Sequence, residues 1–317
     1  MQIDKDTQIL IDERLKNNAP ALESFTPQEL RALRAKMAET PLELRVDISD
    51  VQDLSVKGTL GDIPIRKYFN SSTSDPKHKT SPLIIYFHGG GFVMGDLESH
   101  DLVCRHLCKE AKATIIAVDY KLAPEHKFPA PVIDTKDAIT KIFERAEEFN
   151  FDPNKVILCG DSAGGTLATV GTVMSRDNVI PKVHGQILVY PWVDMTMCRR
   201  SMDIDLEGMI LNKKTIKYFA DHYLNNTQEQ VDWRASPLLT ADLSNLPPTY
   251  IYGAGLDPLV DEGDAYKRRL LSFGNEVHYR LFPGQMHAFL SNSVQLPTSL
   301  ICIKEMGKAA QTIFSKL

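Results

Sequence analysis

The chain has 317 residues, 43% of them hydrophobic and 24% charged, with a formal net charge of −5 at neutral pH. That length and apolar share can bury a large core, and the slight acidic balance excludes the basic field that nucleic-acid binding needs. No apolar run approaches the roughly 20 residues that span a bilayer. The five cysteines are an odd set without the spacing of a disulfide framework.

The N-terminus, Met1-Gln2-Ile3-Asp4-Lys5-Asp6, is polar and acidic, without the basic start and apolar stretch of a signal peptide. With the cysteine pattern, this points to a reduced, cytoplasmic protein. Thr26-Pro27-Gln28-Glu29 is a capping box with proline at the first helical position, and Leu30, Leu33 and Met37 then share a narrow apolar stripe. A β-ribbon is predicted from Val51 to Val56 and from Ile63 to Phe69, turned around Gly58 to Asp62, followed by a polar loop from Ser71 to Ser81.

From there short apolar strands alternate with helical stretches: Leu83–Phe87, Thr114–Asp119, Val156–Gly160, Gln186–Tyr190, Thr249–Gly253 and Val277–Phe282. The alternation predicts an α/β fold, a mostly parallel sheet with helices on both faces. The rhythm breaks between Asp194 and Ser236, a charged stretch holding Met195, Met197, Met202 and Met209 and a helix near Lys213 to Leu224. The expected organisation is N-terminal cap helices (1–46), a first core part (47–193), a cap insertion (194–236) and a second core part (237–317).

The most informative segment is Val156-Ile157-Leu158-Cys159-Gly160-Asp161-Ser162-Ala163-Gly164. A buried strand ends in a sharp turn with serine at its tip, and residues 165–174 continue as a helix. That is the setting of a nucleophile elbow. Gly160 and Gly164 are required because bulk on either side of the serine would collide with neighbouring elements. The plainer reading, a glycine-rich turn whose serine caps a helix, weakens once the partners are found.

Acyl transfer through serine needs a nucleophile, a base, an acid that orients the base, and donors for the oxyanion. Candidates stand in the chain order Ser162, Asp257, His287. The donors follow a strand in His88-Gly89-Gly90-Gly91-Phe92. The N–H groups of Gly90, Gly91 and Ala163 form the hole, with Gly89 less favourable on geometry. A phosphate loop fails on spacing, because the third glycine and a Gly-Lys-Ser/Thr are missing. His88 is read as structural, holding the loop. Asp257 follows a strand in Gly255-Leu256-Asp257-Pro258, although an N-cap would look the same. Asp261, Glu262 and Asp264 read as solvated first turns of a helix. His287 comes in the turn after the last strand. The other histidines, among them His78, His184, His222 and His278, default to satisfied core positions. His100, Cys104, His106 and Cys108 cluster on one helix, but zinc ligands usually come from separate elements, so no metal site is assigned and Cys104, Cys108 and Cys159 are read as core.

Together these blocks resemble the hormone-sensitive-lipase-like branch of α/β-hydrolases, the bacterial family IV esterases. The matching pieces are His88-Gly89-Gly90-Gly91-Phe92-Val93, Asp119-Tyr120-Lys121-Leu122-Ala123-Pro124-Glu125-His126, Gly160-Asp161-Ser162-Ala163-Gly164-Gly165, Tyr190-Pro191, Asp257-Pro258-Leu259 and His287. Asp161 before the serine is similar to one subgroup's elbow. The resemblance implies a cofactor-free carboxylesterase acting on short- to medium-chain acyl esters under a helical cap. It implies Ser162, Asp257 and His287 as the triad, Gly90, Gly91 and Ala163 as the oxyanion hole, and Glu125 with its loop as structural support. Members are often homodimers.

Two rivals share the fold. One is a non-catalytic small-molecule receptor, as in the plant gibberellin receptors, which have lost the catalytic histidine; His287 is present here. The other is an interfacial lipase, which needs an exposed apolar lid. The segment from 194 to 225 carries Asp194, Arg199, Arg200, Asp203, Asp205 and Glu207 instead.

Overall fold

The computed structural model describes residues 2–37, 45–71, 80–292 and 294–317. Most of the predicted Ser71–Ser81 loop, His78 and the side chain of Met37 lie outside the described residues. The expected ribbon is present: β1 (Asp50–Gly58) and β2 (Gly61–Phe69) pair antiparallel down to Gly58 opposite Gly61. The remaining strands are β3 (Ser81–Phe87), β4 (Thr114–Val118), β5 (Phe151–Asp161), β6 (Gly185–Val189), β7 (Thr249–Leu256) and β8 (Val277–Met286). They form one eight-stranded sheet in the order β1-β2-β4-β3-β5-β6-β7-β8, antiparallel at β1, β2 and β4 and parallel from β4 to β8.

Burial on both faces explains why these strands read as continuous apolar runs instead of alternating ones. Every residue of β4 and β6 is buried. Alternate β3 residues feed two cores. Leu83, Ile85 and Phe87 pack with α4 (Ala130–Glu144), α6 (Ala163–Arg176) and α8 (Val260–Ser272). Ile84 and Tyr86 face α3 (Asp101–Ala111) and α9 (Thr298–Phe314) on the opposite side. Cys104, Cys108 and Cys159 belong to this second core, as expected, and all are free thiols. Among the described residues no helix is long and apolar enough to cross a membrane.

Ahead of the sheet lie α1 (Lys5–Lys16) and α2 (Pro27–Met37). The capping box forms as predicted: the Thr26 N–H donates to Glu29 at 2.8 Å and the Glu29 N–H donates to the Thr26 hydroxyl at 3.3 Å. The 194–236 stretch contains α7 (Lys213–Tyr223), capped by the Asn212 side chain. It packs on the N-terminal pair through Thr215, whose hydroxyl donates to Glu23 at 2.6 Å, and Tyr218, which donates to the Phe25 carbonyl at 3.0 Å.

Two expectations need correction. Of the histidines assigned to the core by default, His184 and His222 are half-buried, and His126 and His278 are exposed, His278 standing beside Glu276 where the edge strand β8 turns outward. Glu262 is not solvated: it is fully buried. Its Oε2 accepts the N–H groups of Val193 and Asp194, both at 2.6 Å, where the chain leaves β6.

Burial, and then the neighbouring charge of Asp194, push the Glu262 pKa well above its ordinary 4.5. A carboxyl raised on folding adds stability in full below its unfolded pKa, and that stability is lost as pH rises through the folded value. Glu262→Gln keeps an acceptor for both amides and has no charge to bury. Thermal unfolding from about pH 5 to about pH 9 should therefore show a flatter profile for the glutamine variant. Glu262→Ala leaves two buried N–H groups without an acceptor and should cost about 1–3 kcal/mol for each. A glutamine variant with the parent's pH slope would remove the charge from this account.

Candidate active site

β5 runs buried from Val156 and stops at Ser162, whose backbone sits at φ 53° and ψ −120°. A non-glycine residue there is strained, and the neighbourhood over-determines it. The Ser162 N–H donates to the Val189 carbonyl at 2.9 Å, and the Ser162 carbonyl accepts from Trp192 at 3.1 Å and Thr166 at 3.2 Å. The glycine requirement holds. A Cβ at Gly160 would strike the Gly164 backbone, and one at Gly164 would strike the carbonyls of Phe87 and His88.

The three distant side chains converge. Ser162 Oγ lies 2.9 Å from His287 Nε2, and His287 Nδ1 lies 2.7 Å from Asp257 Oδ2. All three residues are buried, Asp257 completely. The other Asp257 oxygen accepts the Leu259 N–H at 2.8 Å in the turn ahead of α8, whose N-cap is Leu259 and not Asp257. His287 follows β8 directly, with its ring 4.5 Å from that of Tyr190.

The glycine loop after β3 faces the same point. Gly90 and Gly91 line the cavity above Ser162, at φ 123° and 62°. A Cβ on Gly91 would run into the Phe219 ring. Among the described residues the N–H groups of Gly90 and Gly91 meet no acceptor, whereas that of Gly89 donates to Asp161 Oδ1 at 3.0 Å. Ala163 is the first residue of α6, so its N–H has no intrahelical acceptor.

The supporting residues fall into place around this. The Asp161 carboxylate also accepts from Tyr86 Oη at 2.7 Å and lies 3.3 Å from His100 Nε2. Burial alone would raise its pKa, but His100 and Tyr86 hold it below the ordinary carboxylate value. Burial also lowers the His100 pKa, against the pull of Asp161. The His88 ring stacks on that of Tyr120 at 4.3 Å, and its Nδ1 lies 2.8 Å from the Gly89 carbonyl. Glu125 pairs with Arg31 of α2 at 2.7 Å, and Arg31 donates to the carbonyls of Val93 and Ala123. That bond holds the Glu125 pKa at about 2.

The roles of some contributors were not read from the sequence. Gln285 Nε2 reaches Asp4 Oδ2 at 3.0 Å and Asp6 Oδ1 at 2.9 Å, tying the N-terminus to the strand that carries His287. Tyr86 and His100 serve Asp161, and Tyr190 braces His287. Arg14 and Arg34 line the cavity, whose volume is about 370 Å³. Only the adjacency of Gln285 to His287 and of Tyr86 to the glycine loop could have drawn attention to any of these.

Comparison with known proteins agrees with this geometry. A family profile described as alpha/beta hydrolase fold matches residues 84–291. The carboxylic ester hydrolase LipN of Mycobacterium tuberculosis is 40% identical over 248 residues, which cover 76% of this chain and 65% of LipN, just under two thirds of that relative. An arylesterase of Saccharolobus solfataricus is 32% identical over 84% of this chain and 87% of its own length. The ester hydrolase EH1AB1 from the metagenome of Lake Arreo, solved in complex with a bipyridine phosphonate derivative, superposes with a TM-score of 0.92 at 32% identity, covering 99% of this chain and 100% of that one. The chain belongs to the α/β-hydrolase fold family, in its hormone-sensitive-lipase-like branch of carboxylic ester hydrolases.

Proposed function

We propose that this carboxylic ester hydrolase cleaves short- to medium-chain acyl esters through a covalent acyl-enzyme on Ser162. The observation that carries the reading is the unbroken hydrogen-bond path from Ser162 through His287 to Asp257. Ser162 Oγ attacks the ester carbonyl carbon while its proton passes to His287 Nε2. The carbonyl oxygen becomes an oxyanion, held by the N–H groups of Gly90, Gly91 and Ala163 at the positive end of α6. As the intermediate collapses, the bond to the alkoxy oxygen breaks and His287 returns its proton to the leaving alcohol. Water then attacks the acyl carbon and gives a proton to His287, which passes it to Ser162 Oγ as the acyl–oxygen bond breaks and the carboxylic acid leaves. Asp257 stays ionised, fixes Nδ1–H and stabilises the imidazolium.

The spent amide of Gly89 supports the choice of Gly90 and Gly91 as donors. Phe25 and Leu30 from the N-terminal pair and Ile216 and Phe219 from α7 line the cavity with Ser162, which supports a helical cap built from both ends of the expected pieces. Met195, Met202 and Met209 are buried instead of forming an exposed apolar face, which favours soluble esters over a lipid surface. His287 in place favours an enzyme over a receptor. The buried free thiols of Cys104, Cys108, Cys159 and Cys302 fit a reducing, cytoplasmic setting.

Ser162→Ala should abolish ester hydrolysis and also the covalent adduct that a reactive phosphonate forms on the parent protein, read by intact-protein mass spectrometry. An adduct that persists on the alanine variant would move the nucleophile elsewhere. Asp257→Asn should lower kcat by a factor on the order of 10⁴, because the asparagine selects the wrong imidazole tautomer. Full turnover would remove Asp257 from its role. Across a ladder of acyl chains, kcat/KM should fall from medium to long chains, with no jump where the substrate exceeds its solubility. Such a jump would favour the interfacial lipase.

A further inference from the structure

Most of the cavity wall is apolar, formed by residues such as Phe25, Leu30, Met94, Trp192, Phe219 and Leu259. Two cations break it: Arg14 from α1 and Arg34 from α2. Several other arginines meet carboxylates, although Arg269 meets only the carbonyls of Leu238 and Thr240 among the described residues. Arg31 forks onto Glu125, Arg66 bridges Asp53 and Glu98, and Arg105 pairs with Asp101. Among the described residues Arg14 and Arg34 have no acidic partner within ion-pair distance. Arg14 Nε donates to the Gly208 carbonyl at 2.9 Å, and Arg34 Nη2 lies 3.5 Å from the Ser99 carbonyl, beyond a good hydrogen bond. A guanidinium carries five N–H donors, and among the described residues one carbonyl acceptor meets each of these two groups.

Both groups are partly buried, and burial lowers both pKa values, opposed at Arg34 by Asp161 and Asp96. A desolvated cation without a partner is costly, and a bound anion would offset that cost. Asp161 also lines the cavity, but its Oδ1 accepts from Tyr86 and Gly89 and faces His100, and no ion pair joins it to Arg34 among the described residues. An alkyl ester cannot supply it either.

We propose that Arg34, assisted by Arg14, forms an anion subsite, and that the preferred substrates are short esters bearing a second, carboxylate group, such as monoesters of dicarboxylic acids. This rests on the reading of Ser162 as nucleophile. The carboxylate is ionised at neutral pH, and the planar fork of arginine matches it in two hydrogen bonds. Hydrolysis of the monoester consumes one water and releases the dicarboxylate and the alcohol, with no other reactant.

The test compares kcat/KM for monoethyl succinate, glutarate and adipate with the uncharged ethyl esters of equal chain length, and for acetoxybutanoate with butyl acetate. The last pair puts the carboxylate on the alcohol side. The ratio of charged to neutral ester is measured in the parent, Arg34→Gln, Arg34→Lys and Arg14→Gln, so intrinsic reactivity cancels between proteins. The expected result is a ratio that falls by about tenfold or more in Arg34→Gln for at least one pair, is partly kept in Arg34→Lys, and falls less in Arg14→Gln. An unchanged ratio in Arg34→Gln overturns the proposal. So does an equal loss on both ester classes, which would mean that Arg34 serves only to balance Asp161 and Asp96. Hydrolysis of neutral esters in the parent keeps the serine-esterase reading in either case; no hydrolysis of any ester would sink that reading itself.

Discussion

One buried carboxylate joins the two halves of the site. Asp161 ends β5, immediately before Ser162, and its Oδ1 accepts from Tyr86 on β3, from the Gly89 amide of the glycine loop and faces His100 ahead of α3. Ser162 and the glycine loop belong to different strands, and the proposed acyl transfer depends on their spacing on the scale of about an ångström. Adjacent parallel strands bring them near; Asp161 fixes the distance. The approach is so close that a Cβ at Gly89 would collide with the Asp161 carboxylate. Hydrogen bonds to a charged group are worth about 1.5–3 kcal/mol each, enough in sum to overcome the burial that would otherwise neutralise the acid. The carboxylate stays ionised because its partners outweigh its desolvation.

This explains why the elbow and the glycine loop can be read directly from the sequence. Both are local: a buried strand, a turn with glycines where the backbone has no room, and a helix. The strands were legible for the same reason, since a parallel sheet covered on both faces writes itself as unbroken apolar runs. Ser162, Asp257 and His287 could be found because each stands just beyond the carboxyl end of a strand, where side chains of distant sequence meet.

What could not be read depends on partners far along the chain. Glu262 looks like any acidic residue in the first turn of a helix until Val193 and Asp194 are brought against it. Gln285 looks like a turn residue until the N-terminus arrives. His100 stands just ahead of a helix with two cysteines, a pattern that suggests metal, but the fold turns it toward Asp161 while the thiols enter the core. Arg34 lies in a polar helix, and nothing in its local pattern says that it faces a cavity. Each of these is a polar group whose meaning comes from burial, and burial of a polar group is a tertiary property.

The N-terminal segment shows how these long-range bonds divide the work. Its two helices fasten opposite sides of the site. Asp4 and Asp6 hold Gln285 and, through the Asp4 N–H bonded at 3.1 Å to the Gly284 carbonyl, the strand end that delivers His287. Arg31 on α2 holds the carbonyls of Val93 and Ala123, the exit of the glycine loop, and is itself fixed by Glu125. His287 and the glycine loop are thus braced by one stretch of about thirty residues that also lines the cavity. The hydrolytic core is rigid because a sheet buried on two sides supports it. The roof rests on polar bonds at partly exposed positions, each worth little alone in water. A roof of that kind can exchange side chains such as Arg34 without disturbing the sheet, while its anchors stay on the strand end before His287 and on the exit of the glycine loop.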